Sequence, residues 1–141
     1  MKNEENVWGF LQKSMGYSDE EMKLFLDNPR NREVLKKGAA LFNKTIVVEV
    51  KSSHGCYLGH AAGDKLYFDG GGNVITGLCP KKICTFALSA LMPQLFAVSE
   101  LFYAGVDPND MRFVHVGCPD VGLRCGGWGH IVMQLKVVDR V

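Results

Sequence analysis

The pattern of hydrophobic and polar positions changes near residue 44. Before that point, Ser18 to Glu21 has the form of a capping box, and Pro29 fits the first turn of a further helix. We therefore predict a helical arm over residues 1–43, which packs on the main domain or on a neighbouring subunit. The apolar residues of this segment recur at helical spacings of three and four: Val7, Phe10, Leu11 and Met15; Met22, Phe25 and Leu26; Val34, Leu35, Leu41 and Phe42.

From Lys44 onward the pattern alternates between strands and one long helix. The β-branched run 45–50 predicts a strand, and residues 65–68 and 74–75 flank a glycine turn as in a hairpin. Residues 82–103 predict a long helix kinked at Pro93, or two abutting helices, and residues 112–116 and 131–138 predict two further strands. The expected fold class is α+β, with a small, mostly antiparallel sheet packed on one long, Pro-kinked helix over residues 44–141.

Composition and charge narrow the classes of function. The 141 residues are 47% hydrophobic, and sixteen basic against fifteen acidic residues give a net charge of +1, which predicts no nucleic-acid partner and no anionic membrane partner. We identify no secretory signal core and no apolar run near the ~18 residues of a membrane span, so we expect a cytoplasmic protein. In that compartment cysteines are thiols or metal ligands rather than disulfides.

All five cysteines lie in three loops, at residues 53–60, 78–84 and 117–130, and glycine occurs within or directly beside each loop. The gap between Cys79 and Cys84 is not that of a zinc knuckle, so a metal would need ligands gathered from all three loops. Thiolates suit both zinc and iron–sulfur clusters. The candidate metal ligands are Cys56, Cys79, Cys84 and Cys118, with Cys125 or His60 as alternates. The alternative interpretation is that these are small inert thiols packed in tight turns.

A second hypothesis is a cofactor-independent enzyme acting on a small polar substrate. Cys84 follows two lysines near the start of the long helix, where the helix dipole favours a thiolate, unless its side chain simply faces the core. Cys84 or Cys56 would then be the nucleophile or base, with His60, His115 and Asp120 assisting. Ser/His/Asp, HExxH, Walker and Rossmann patterns do not occur in the chain.

Residues 44–139 resemble a family of small cysteine-containing proteins, many of them from anaerobic bacteria and archaea. The matching motifs are Cys56-x-x-Gly59-His60-x-x-Gly63-Asp64, then Leu78-Cys79-Pro80 to Cys84-x-x-Ala87-Leu88-x-Ala90-Leu91-x-Pro93, then Cys118-Pro119-Asp120. The resemblance implies that these cysteine, glycine and histidine positions recur in the family, and it implies no particular reaction.

The leading expectation is therefore a metal-binding accessory protein or small subunit in anaerobic metabolism, which holds an iron–sulfur cluster or zinc. We expect a homo-oligomer formed through the helical arm, and a larger enzyme is the other expected partner.

Overall fold

A computed structural model describes residues 2–141 of the chain. The described chain separates between Ala40 and Leu41 into two compact units. The first unit contains helices only, and the second contains a sheet and one long helix, in keeping with the predicted α+β class.

The first unit is built from α1 (Lys2–Met15), α2 (Asp19–Asp27) and most of α3 (Pro29–Phe42). The predicted capping box is confirmed, because Ser18 Oγ accepts from the Glu21 N–H at 3.2 Å and Glu21 Oε2 accepts from the Ser18 N–H at 2.8 Å. Pro29 begins α3, where its missing N–H leaves no helical hydrogen bond unmade.

The sheet of the second unit has four antiparallel strands in the order β2-β1-β4-β3. Their bounds are Lys44–His54 (β1), Lys65–Asp69 (β2), His115–Gly117 (β3) and His130–Asp139 (β4). The central β1–β4 ladder runs from the pair Lys44–Asp139 to the pair His54–His130, with one register shift between Val50 and Ser52. The predicted inward face of β4 is confirmed by the burial of Ile131, Met133, Leu135 and Val137.

Two predicted strands are shorter than the sequence pattern indicates. The hairpin after β2 is reduced to a single bridge between Phe68 and Val74, because turn hydrogen bonds to the carbonyls of Ile75 and Thr76 bend the chain away. The segment 112–116 becomes the three-residue β3. The side-chain amide of Asn109 bonds both the N–H and the C=O of Val137, which a longer β3 would have used.

The long helix is α4 (Thr85–Tyr103), and Pro93 lies inside one continuous helix rather than between two. It packs against the sheet through Ala87, Leu91 and Val98, all of which are buried. By length and composition alone α4 could cross a membrane, but a single such helix is weak evidence, since core helices meet the same criterion.

Candidate functional site

The site lies at the end of the sheet where β1 and β4 finish their ladder. Their last pair is His54 with His130, so the loop that follows β1 and the loop that precedes β4 start side by side. Gly55 has a φ of +65°, and a Cβ there would lie 2.7 Å from the Trp128 carbonyl oxygen. A Cβ on Gly129 would overlap the backbone of His54 and Gly55. Glycine at both positions therefore lets the two loops meet backbone to backbone.

Together with the start of α4, these loops enclose a cavity of about 560 Å³. Residues as distant in the sequence as Cys56 and Cys118 thus line the same cavity. Four of the five cysteines line it, and the lining also includes two histidines, a carboxylate and three aromatic rings: Cys56, Cys84, Cys118, Cys125, His60, His130, Asp120, Tyr57, Phe86 and Trp128.

Cys118 has the most developed environment of the four. Its sulfur accepts a hydrogen bond from the Ile131 N–H at 3.4 Å and lies 3.5 Å from His130 Nδ1. That nitrogen is also 2.5 Å from the backbone oxygen of Asp120. Because a carbonyl oxygen can only accept, His130 Nδ1 carries a proton and donates it to the Asp120 oxygen, and the sulfur lies beside this bond. The Cys118 sulfur thus accepts one backbone N–H, from Ile131, and lies 4.0 Å from the Asp120 oxygen, to which its own S–H can donate.

The Asp120 carboxylate organises the loop that carries Cys118 and Cys125. It accepts backbone N–H groups from Gly122 at 2.9 Å, from Trp128 at 3.2 Å and from Gly129 at 3.3 Å. These bonds, the Gly122 N–H first, hold the pKa of Asp120 below its ordinary value. The Asp120 carboxylate thus stabilises the conformation of this loop through three backbone hydrogen bonds.

His60 reaches the cavity wall from the first loop, and only 10% of its side chain is exposed. Its Nδ1 lies 3.9 Å from Asp64 Oδ2, which also accepts the Ala61 N–H. Its Nε2 is buried and has no hydrogen-bond partner. A buried ring nitrogen without a partner is costly unless a ligand supplies one. His60 is therefore the lining histidine with an unused ring nitrogen.

The remaining cysteines of the cavity differ in burial. Cys84 is the N-cap residue of α4, as its position in the sequence predicts, and both it and Cys56 are half-buried against the core. Cys125 ends the short helical turn Leu123–Cys125 and is exposed. Of the four cysteines that line the cavity, Cys56, Cys84 and Cys118 are therefore half-buried, and Cys125 is exposed.

Two sequence-predicted site residues do not line this cavity. The Cys79 sulfur bonds the backbone of β2, accepting from the Tyr67 N–H at 3.2 Å and lying 3.5 Å from the Tyr67 oxygen. His115 is exposed on the edge strand β3, opposite Gln134. Although Cys79 belongs to the second cysteine loop, neither it nor His115 is among the residues that line the cavity.

The sequence predicts two features of the site only in part. It indicates a turn at Gly63-Asp64 and leaves Trp128 as a pocket wall or a packing anchor, but it predicts neither the Asp64 carboxylate beside His60 nor the contact between the Tyr57 and Trp128 rings, whose centroids are 5.2 Å apart. The signals were present as Gly63-Asp64 after His60 and as the Gly-Trp-Gly run before His130.

Within residues 2–141, no three His, Cys, Asp or Glu side chains are grouped closely enough to hold a single metal ion. Comparison with known protein families, with curated proteins and with solved structures finds no match for this chain.

Proposed function

We propose that this protein is a metal-binding accessory protein or small subunit of anaerobic metabolism, and that its cavity holds an iron–sulfur cluster or a zinc ion. The observation that carries the proposal is the convergence of four cysteines, from three distant loops, on one cavity. All five cysteines are free thiols, so each sulfur is available to a metal. Soft thiolate ligands favour both kinds of centre.

The proposed ligands are Cys56, Cys84 and Cys118, with His60 or Cys125 completing the set. The hydrogen bond from the Ile131 N–H to the Cys118 sulfur is of the kind that tunes metal-bound thiolates. The unpartnered Nε2 of His60, with a carboxylate beside its other nitrogen, resembles the outer support of a metal-bound histidine. These features support His60 over the exposed Cys125 as the fourth ligand.

Binding of the metal would draw the thiols together from their positions around the cavity. No three of these side chains share one ion position in the described residues, so the loops would have to move for the metal to bind. A ligand that binds only the folded state raises the free energy of unfolding by RT ln(1 + L/Kd), where L is the free ligand concentration, so tighter binding stabilises the fold more. We therefore expect the metal-loaded protein to unfold at a higher temperature than the chelator-treated protein.

The test is metal analysis with an absorption spectrum on protein purified without oxygen. We expect stoichiometric zinc, or stoichiometric iron with a broad band near ~400 nm from thiolate-to-iron charge transfer. Cys56→Ser, Cys84→Ser and Cys118→Ser should each lose most of the metal. Cys79→Ser is the matched control and should keep it, because its sulfur bonds the β2 backbone. A metal-free wild type, or an equal loss in Cys79→Ser, would overturn the proposal.

A second candidate, thiol-based catalysis without a metal, is favoured by the Ile131 N–H donated to the Cys118 sulfur and by the His130 ring 3.5 Å from it. In this case Cys118 replaces Cys84 as the reactive thiol, and His130 is the titratable group beside it. The discriminating measurement is alkylation of metal-free protein at neutral pH. One cysteine reacting far faster than the others, identified by mass spectrometry, would support it, and uniform slow reaction would exclude it.

We also propose that the helical arm forms a homo-oligomer. Phe10 and Leu24 each expose 74% of their surface, which is a large apolar area for a free helical unit. Light scattering after size exclusion should give a multiple of the 15.6 kDa chain mass. A monomer at micromolar concentration would contradict this, and would leave a larger enzyme as the partner to seek.

A further inference from the structure

The cavity carries an aromatic wall that the metal proposal does not use. The rings of Tyr57 and Trp128 contact each other in a tilted arrangement with an interplanar angle of 33°, and both residues line the cavity with 72% and 66% of their surfaces exposed. Phe86, at the start of α4, adds a third ring that is 70% exposed. Large aromatic surfaces left open beside a concave site are characteristic of ligand binding.

The Trp128 backbone is held in place before any ligand arrives. Its N–H and that of Gly129 both bond Asp120 Oδ2, and its carbonyl packs against Gly55 too closely for a side chain there. Preorganised contacts of this kind lower the ordering cost of binding. The aromatic wall is therefore a formed surface rather than the side of a mobile loop.

The charge and size of the cavity limit what it can accept. No Lys or Arg occurs among the residues that line it, so no permanently charged cation there would pair with a phosphate or a carboxylate. Its one carboxylate, Asp120, is already used by three backbone N–H groups, so it offers little to a cation. The volume of about 560 Å³ lies within the range of small organic ligands and exceeds what a metal centre alone needs.

We propose that the cavity binds an uncharged, flat and mostly apolar organic molecule, stacked on Tyr57 and Trp128 beside the cysteine thiols. This inference rests on the cavity and not on the metal, because the rings take no part in holding one. The proposed ligand would lie next to the cysteine thiols.

The experiment is a fluorescence titration with two probes of similar shape and different charge. The neutral probe is N-phenylnaphthylamine, and its anionic analogue is anilinonaphthalene sulfonate. We expect saturable binding of the neutral probe and at least tenfold weaker binding of the anionic one. Trp128→Ala should weaken binding of the neutral probe about five- to tenfold, since a stacked ring is lost. Trp128→Phe, which keeps a ring, should restore most of the affinity.

Phe96→Ala is the matched control, because Phe96 is also 70% exposed but lies on α4 outside the cavity lining. It should bind the neutral probe as the wild type does. Equal losses in Phe96→Ala and Trp128→Ala, non-saturable binding, or preference for the anionic probe would each overturn the proposal. Self-association that Trp128→Ala abolishes, without probe binding, would assign the wall to a second copy of the chain instead.

The outcome is separable from that of the metal proposal. Trp128→Ala should retain the wild-type metal content, and Cys118→Ser should still bind the neutral probe. A metal-free protein that binds the probe refutes only the metal site. A metal-loaded protein that does not bind it refutes only the aromatic one.

Discussion

Replacing Gly129 with alanine tests whether backbone contact between two loops builds the site. A Cβ at this position would overlap the backbone of His54 and Gly55, and backbone atoms cannot turn aside as a flexible side chain does. Overpacking costs typically about 1–3 kcal/mol, and we place this change at the upper end, about 3 kcal/mol. With a urea m-value of about 1.5 kcal/mol/M, the unfolding midpoint should fall by about 2 M.

Gly77→Ala is the matched control for this change. Gly77 is exposed, a Cβ there meets no atom within 4 Å, and its φ lies outside the left-handed region. Its substitution should change the free energy of unfolding by no more than about 0.5 kcal/mol. Both variants are measured by urea unfolding, followed by circular dichroism, and by metal content.

The strain in Gly129→Ala has two ways to be relieved, and each has its own signature. If the loops stay together, global stability falls as calculated. If they separate locally, stability falls less, and metal and neutral-probe binding are lost instead. A variant that matches Gly77→Ala in stability, metal content and probe binding would refute the reasoning.

Three further predictions address the site and the fold. Asp64→Asn keeps an oxygen for the Ala61 N–H but removes the charge beside His60, so metal affinity should fall about 10- to 100-fold in competition with a chelator. Leu91→Ala empties a fully buried position and should cost about 2–5 kcal/mol in urea unfolding, whereas Phe96→Ala should cost little. The hydrogen bond from Lys44, together with its charge, lowers the pKa of Asp139 in the folded state. Wild type should therefore be more stable than Asp139→Asn above about pH 4, and this difference in the free energy of unfolding should vanish as the pH falls below that value.

The parts of the fold that local rules decide could be predicted from the sequence. The capping box at Ser18, the start of α3 at Pro29 and the alternating burial of β4 each depend on residues within a few positions of one another. Cys84 at the start of the long helix is of the same kind. The α+β class follows from these elements together.

The arrangement of the site depends on strand register, which the sequence pattern does not contain. Only the pairing of His54 with His130 places the first and third cysteine loops side by side. Likewise, Cys79 precedes the cavity residue Cys84 by only five positions, but its sulfur bonds the Tyr67 backbone, a contact that can be predicted only when the path of β2 is known. Sequence spacing alone therefore gives no reason to prefer Cys118 over Cys79 as a metal ligand.

The same limit explains the role of the acidic residues. Asp120 follows a Cys-Pro pair and looks in sequence like a catalytic or supporting group. In the fold its carboxylate accepts three backbone N–H groups from residues two to nine positions ahead, which shape the loop. Such a closed loop is recognisable only when the backbone path between the partners is known.

The measurement that tests the central claim most directly is X-ray absorption at the edge of the metal found in protein purified without oxygen. A thiolate centre predicts a shell of sulfur ligands at about 2.3 Å that changes in Cys118→Ser and not in Cys79→Ser. A shell of nitrogen and oxygen alone, or a protein that carries no metal, would contradict a thiolate-bound centre in this cavity.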